Sequence, residues 1–228
     1  MSLDIQSLWV QIGAVALWLG LVLLIAQILH RLHSDPEIVR KVVHIGTGQV
    51  ILLAWWLHLP LWLCLGFSVV FSSIAFLSYR IPILPMLNGV GRKTLGVFYY
   101  AVSIGCLVGW FWSIDLPQYA AVGILVMSWG DGFAALVGQR WGKHGYELMG
   151  NKKSWEGSIA MLVVSYVVTL IILTIATPNF SIDLSNLIIS LPVSIVATGL
   201  EAVSPGGTDN LTVPLSSAAL CYGLSLLV

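Results

Sequence analysis

The sequence predicts an all-α integral membrane protein, a single bundle of about eight transmembrane helices with both termini on the non-cytoplasmic side. Three observations predict it. The 228-residue chain is 58% hydrophobic and only 9% charged, too few charges to coat a soluble globule of this size. Its apolar residues fall into long uncharged runs, and a helical span needs about 20 residues. All ten Lys and Arg residues sit in three short segments, Arg31 to Lys41, Arg80 to Lys93 and Arg140 to Lys153. Cytoplasmic loops are the ones enriched in these residues.

The spans follow in chain order. Ile5 to Leu29 is the first, and Val42 to Tyr79 is long enough for two, with a break at His58, Leu59 and Pro60. Thr94 to Ile114 makes a fourth. The fifth, Asp115 to Gly138, reaches full length only by taking Asp131 into its cytoplasmic end, and an ionisable residue at membrane depth is costly unless it is paired or working. Gly157 to Ile182, Leu184 to Leu200 and Leu211 to Val228 complete the count. Odd-numbered connections are basic and even-numbered ones hold no Lys or Arg, except that the connection from Glu201 to Pro214 carries carboxylates instead. Trp55, Trp56, Trp62, Trp110 and Trp112 fit an aromatic belt at the non-cytoplasmic interface. Gly130, Ala134, Gly138 and Gly142 recur four apart, a stripe that lets two helices approach closely.

Composition also excludes several classes. Net charge is zero, so no nucleic-acid partner is expected. Cys64, Cys106 and Cys221 lie inside apolar spans without zinc spacing or the even count of a disulfide framework. The N-terminal run follows no basic residue and is longer than a cleaved signal's apolar core, so it is expected to stay as an anchor.

Four polar clusters could carry chemistry. Arg40, Lys41 and His44 can share one helix face at the start of the second span, where grouped cations would bind phosphate or snorkel to the interface. Gly89-x-Gly91-Arg92-Lys93, after Pro82 and Pro85, describes an irregular loop ahead of a helix N-terminus, which can present N–H groups to an anion. The densest cluster joins Ser128-Trp-Gly-Asp131-Gly132 to Asn151-Lys152-Lys153-Ser154-Trp-Glu156-Gly157. Lys152, Lys153 and Ser154 stand just before the sixth span, where the helix dipole favours phosphate. Asp131 and Glu156 are oxygen ligands of the kind that hold magnesium together with a substrate phosphate. Gly145 and Gly150 imitate a P-loop, but Asn151 interrupts the required order and no strand is expected before it. In the fourth cluster, Glu201 and Asp209, with Asn210 after a Pro-Gly-Gly turn, could complete a metal site or act as base on an alcohol.

These strings, RKVVHIGTG, GRKTLGVFYY, SWGDGFAALVGQRWGK, NKKSWEGS and EAVSPGGTDNLTVP, together resemble the polyprenol kinase branch of the phosphatidate cytidylyltransferase-like membrane enzymes, which includes phytol and dolichol kinases. Length fits the phytol kinase members best. The resemblance implies transfer of phosphate from CTP, with magnesium, to the hydroxyl of an isoprenoid alcohol such as phytol, in a cyanobacterial or plastid-type membrane with the site on the cytoplasmic or stromal face. It implies that Lys152, Lys153, Ser154, Glu156 and Gly157 belong to the nucleotide-binding segment. Asp131, Glu156 and Asp209 are the expected metal ligands, Asp131, Asp209 and Lys152 the expected catalytic groups, and Asn210 belongs to an Asp-Asn pair. Arg92, Arg40, Lys41 and His44 are expected to add nucleotide contacts, and Glu201 is a further expected site residue. The cytidylyltransferase signature with its Lys-Arg-x-x-Lys-Asp and His-Gly-Gly strings is absent, which disfavours CDP-lipid synthesis.

Alternatives within the class are a dolichol or other polyprenol kinase. Outside it, a transporter would place its polar groups near the midplane of the bilayer, whereas here they gather at one surface. Oligomeric state is not encoded in any feature of the chain.

Overall fold

The computed structural model describes residues 7–80 and 95–228. Arg92 and the rest of residues 81–94, including Gly89, Gly91 and Lys93, lie outside the described residues. The described chain is helical almost throughout, and six helices are long and apolar enough to cross a membrane: Leu8–Arg31, Pro36–Trp56, Leu61–Ser78, Pro117–Trp141, Trp155–Ala176 and Leu184–Val203.

The first helix, α1 (Leu8–Arg31), packs on α2 (Pro36–Gly48) and α3 (Val50–Trp56), which together form the second candidate span. The start of α2 is fixed by its sequence: Pro36 sits where its missing N–H costs nothing, and the Asp35 side chain accepts from the Glu37 N–H at 2.8 Å. Trp18 Nε1 donates to the Gly46 carbonyl at 2.8 Å, and Gln11 Nε2 to that of Leu57 at 2.7 Å. The chain then turns at His58, in the left-handed region at φ 53°, into α4 (Leu61–Arg80). Helix α4 packs chiefly on α5 (Gly96–Phe111).

The most enclosed span runs through α6 (Pro117–Leu125), a π-helical turn at Val126–Asp131, and α7 (Gly132–Trp141). Ala120, Ala121, Val122, Val126 and Met127 are fully buried there, and small residues let the neighbours close in. Around it stand α8 (Trp155–Ala176), α9 (Leu184–Val203) and α10 (Asp209–Ser225). Outward-facing Leu17, Leu23, Val69, Val70, Ile159, Val163, Val167 and Ile188 are exposed. So many exposed large apolar side chains on helices of this length need a lipid solvent.

Helices α5 and α10 coincide with the fourth and eighth sequence-predicted spans but have 16 and 17 residues. At 1.5 Å per residue they reach only ~25 Å, short of a hydrocarbon core of about 30 Å.

One element departs from the all-α expectation. Two short antiparallel strands, β1 (Gly145–Leu148) and β2 (Asn151–Ser154), join α7 to α8. Met149 and Gly150 both have positive φ, 50° and 79°, the geometry of a tight two-residue hairpin turn. The apparent P-loop glycines are therefore the start and the turn of a hairpin. The small-residue stripe of α7 has a packing role: a Cβ added at Gly157 of α8 would meet the Ala134 carbonyl at 2.8 Å and the Gly138 Cα at 3.5 Å.

Candidate active site

Four separate segments bring their charged residues together at one end of the bundle. The first is α2. Its side chains diverge: Arg40 turns back to Glu37 in a bidentate pair, while Lys41 turns inward, 4% exposed, and donates from Nζ to Asp131 Oδ2. His44, one turn on, places Nε2 3.8 Å from the same Oδ2. Both contacts fall on one oxygen of Asp131.

The second segment is the π turn itself. A π-helical turn widens the helix locally and is a frequent mark of functional sites. It ends at Asp131, 8% exposed, so that the carboxylate projects from the most enclosed helix of the molecule. A buried carboxylate of this kind persists only with a counter-charge. Lys41 supplies it.

The hairpin is the third segment. Cross-strand pairing sets Tyr146 opposite Lys153 and Glu147 opposite Lys152. Lys153 turns toward α9 and pairs with Glu201, which is 3% exposed. Burial works against the Lys153 charge, but the Glu201 carboxylate outweighs it and holds the ammonium above the ordinary lysine value. Lys152 is exposed and makes no salt bridge among the described residues. Asn151 Nδ2 donates to the Ser204 carbonyl at 3.0 Å, tying the hairpin to the last segment. Ser154 caps α8, accepting from the Gly157 N–H at 3.1 Å.

The fourth segment is the turn from Glu201 to Asn210. Gly206 and Gly207 take φ of 63° and 88°, backbone that side chains rarely adopt, and so bring the chain back sharply after α9. Asn210 accompanies Asp209: its backbone N–H meets Asp209 Oδ1 at 3.1 Å, and its side chain donates to the Gly207 carbonyl at 3.3 Å. Asp209 lies outside the six candidate spans. Burial, with the negative charge of Asp131 nearby, pushes its carboxyl up to about 6. Asp131 and Asp209 act electrostatically on each other and each on both Lys41 and Lys153.

One sequence-predicted site residue among the described ones stands apart. Glu156 is engaged by His144, whose Nδ1 lies 2.8 Å from Oε1 and whose backbone N–H also faces the carboxylate. It does not join Asp131. Arg92 lies outside the described residues. Sequence reasoning also missed His144 and Tyr100. Tyr100 sits in an apolar span and gives no signal there; in the fold it packs against His44, ring centroids 4.5 Å apart.

Among the described residues no three His, Cys, Asp or Glu side chains gather as a metal cage. Asp131 and Asp209 are oxygen donors in a nest of cations, and Oδ1 of Asp131 is not the oxygen that Lys41 and His44 address.

The chain is similar to known proteins along most of its length. It is 50% identical over 221 residues to phytol kinase of Synechocystis sp., covering 96% of this chain and 94% of the relative. It is 30% identical over 207 residues to a chloroplastic farnesol kinase of Arabidopsis thaliana, 81% of this chain and 64% of that protein. It is 27% identical over 210 residues to a probable chloroplastic phytol kinase 2 of Glycine max, 82% of this chain and 65% of the relative. No family model and no solved structure matches. With half of its residues shared over nearly the whole of both chains, the protein belongs to the polyprenol kinase family, alongside the phytol kinases.

Proposed function

We propose that this protein is a multi-pass membrane kinase that transfers the γ-phosphate of CTP, with magnesium, to the hydroxyl of a membrane-embedded isoprenoid alcohol, converting phytol to phytyl phosphate. The observation that carries the chemistry is the meeting of Asp131 and Asp209 with Lys41 and Lys153 at one end of an apolar bundle. Phosphoryl transfer needs little covalent help from protein. It needs positioning and cancellation of charge, which carboxylates for a metal and lysines for phosphate oxygens supply together. The choice of phytol rests on the cyanobacterial relative, and the plant relatives favour a cyanobacterial or plastid membrane. The basic connections support a cytoplasmic or stromal face for this end.

In this reading Lys152 and Lys153, beside the capped N-terminus of α8, hold the triphosphate. Asp131 is the carboxylate assigned to magnesium, which when bound neutralises the phosphate oxygens. Asp209 receives the proton of the alcohol as the alcohol oxygen bonds to the γ-phosphorus. The bond between that phosphorus and its bridging oxygen breaks, and the electron pair leaves with CDP. A carboxyl raised toward neutrality is a better base than an ordinary one.

Two experiments test this. CTP labelled in the γ-phosphate is expected to label phytol, and CTP labelled in the α-phosphate to label no lipid; α-label on any lipid would make the protein a cytidylyltransferase. The pH profile is the second. Because the Asp209 carboxyl is raised, it is protonated below about pH 6 and accepts no proton there. The turnover rate is therefore expected to fall tenfold per pH unit below about 6, and Asp209→Asn to abolish that limb along with most of the activity.

A further inference from the structure

We propose that His44 Nε2 and Tyr100 Oη form the docking point for the substrate's hydroxyl group, so that these two residues position the alcohol rather than the nucleotide. The inference rests on the kinase reading and names the part of the site that reading leaves unassigned. His44 comes from the middle of α2 and Tyr100 from the first turns of α5, and their rings pack at 4.5 Å, tilted by 44°. Tyr100 is 8% exposed. Both polar atoms are sealed from solvent and neither makes a hydrogen bond of ordinary geometry among the described residues, although the Ser128 and Thr47 side chains come near enough to Tyr100 Oη to act on it.

A buried polar atom left without a partner is costly, and two of them side by side in a membrane protein mark a place where a polar ligand belongs. The surroundings fit a hydroxyl. The His44 ring faces the Met127 carbonyl, and a ring that donates there from its other nitrogen presents Nε2 as an acceptor. The phenol of Tyr100 can donate. In the docked state Nε2 accepts from the alcohol's hydroxyl and the phenol donates to its oxygen; the hydroxyl rotates its one proton toward Asp209 as the bond to phosphorus forms. Phosphate oxygens, which carry no proton to give, gain nothing from an acceptor nitrogen.

Position supports the same assignment. Ser128 Oγ and Tyr100 Oη converge over Gly48, where an added Cβ would lie 2.9 Å from the phenol oxygen and against the serine hydroxyl. Any larger residue at 48 would press into this polar spot. His44 Nε2 is 3.8 Å from Asp131 Oδ2, so a hydroxyl held here borders the carboxylate assigned to the metal and its phosphate. The neighbouring cations are otherwise occupied: Arg40 pairs with Glu37 and Lys41 with Asp131.

Steady-state kinetics of the full chain in detergent, with phytol and CTP varied separately, tests the assignment. Tyr100→Phe removes one oxygen and is expected to raise KM for phytol about 5- to 10-fold, the loss of one hydrogen bond, with KM for CTP unchanged. His44→Gln is expected to do the same. The double variant should lose less than the product of the two, since both act on one hydroxyl. Unchanged KM for phytol in both single variants overturns the assignment, and so does a KM for CTP that rises as much as that for phytol. A wild-type protein that phosphorylates no isoprenoid alcohol overturns the kinase reading and this inference with it; an active wild type with indifferent variants removes the inference alone.

Discussion

Asp131→Asn is expected to lower phosphate transfer by at least ~10³-fold, the scale of losing a charge-stabilising group in phosphoryl transfer, while leaving the protein inserted in the membrane. Asparagine keeps the shape of the side chain and removes the charge that a metal and Lys41 both need. The same change strands Lys41, which is 4% exposed. Removing one partner of a buried pair costs about 3–5 kcal/mol, so the unfolding temperature in detergent should fall as well. Catalytic and structural losses can be separated by a second substitution. Lys41→Met in the Asp131→Asn background removes both charges and is expected to regain most of the stability, with no return of activity. Near-normal turnover by Asp131→Asn would remove Asp131 from the site.

The bilayer explains why so much of this arrangement could be read from the chain. Runs such as Ile5 to Leu29 and Gly157 to Ile182 are long and uncharged because lipid tolerates nothing else, and the helices Leu8–Arg31 and Trp155–Ala176 follow them closely. Asp131 stood out for the same reason, an acid where acids are expensive. What the chain concealed is pairing. Lys41 and Asp131 are 90 residues apart, and no local pattern says that the second cation of Arg40-Lys41 turns inward while the first turns back to Glu37. Glu156 was expected beside Asp131 because both are acids near one membrane face. The hairpin instead brings His144 onto it, and the hairpin was hidden by two strands of four residues each inside a basic loop. Its one cue was local: a glycine after Met149, between Tyr146 and Leu148 on one side and Asn151 on the other, can close a two-residue turn. Tyr100 had no cue at all, since a tyrosine in an apolar span is ordinary until its hydroxyl proves to be buried beside His44 without a hydrogen bond of ordinary geometry.

Lys152→Ala and Lys153→Ala are expected to reduce transfer alike but to differ in stability, although the residues are adjacent. Successive side chains on a strand point to opposite faces, and here one face is solvent and the other is α9. Lys152 is exposed and makes no salt bridge among the described residues, so its replacement should leave the unfolding temperature unchanged and cut the rate about 10²–10³-fold, as removal of a preorganised charge at a transferring group does. Lys153 is bound to Glu201, which is 3% exposed. Its replacement should cut the rate similarly and also cost about 3–5 kcal/mol by leaving that carboxylate alone in the protein interior. Glu201→Gln added to Lys153→Ala is expected to restore stability without restoring transfer, because the amide no longer needs a counter-charge while the triphosphate still lacks its lysine. Thermal unfolding and turnover measured on the same preparations distinguish the cases. A Lys152→Ala protein that turns over at the wild-type rate would remove Lys152 from the nucleotide site.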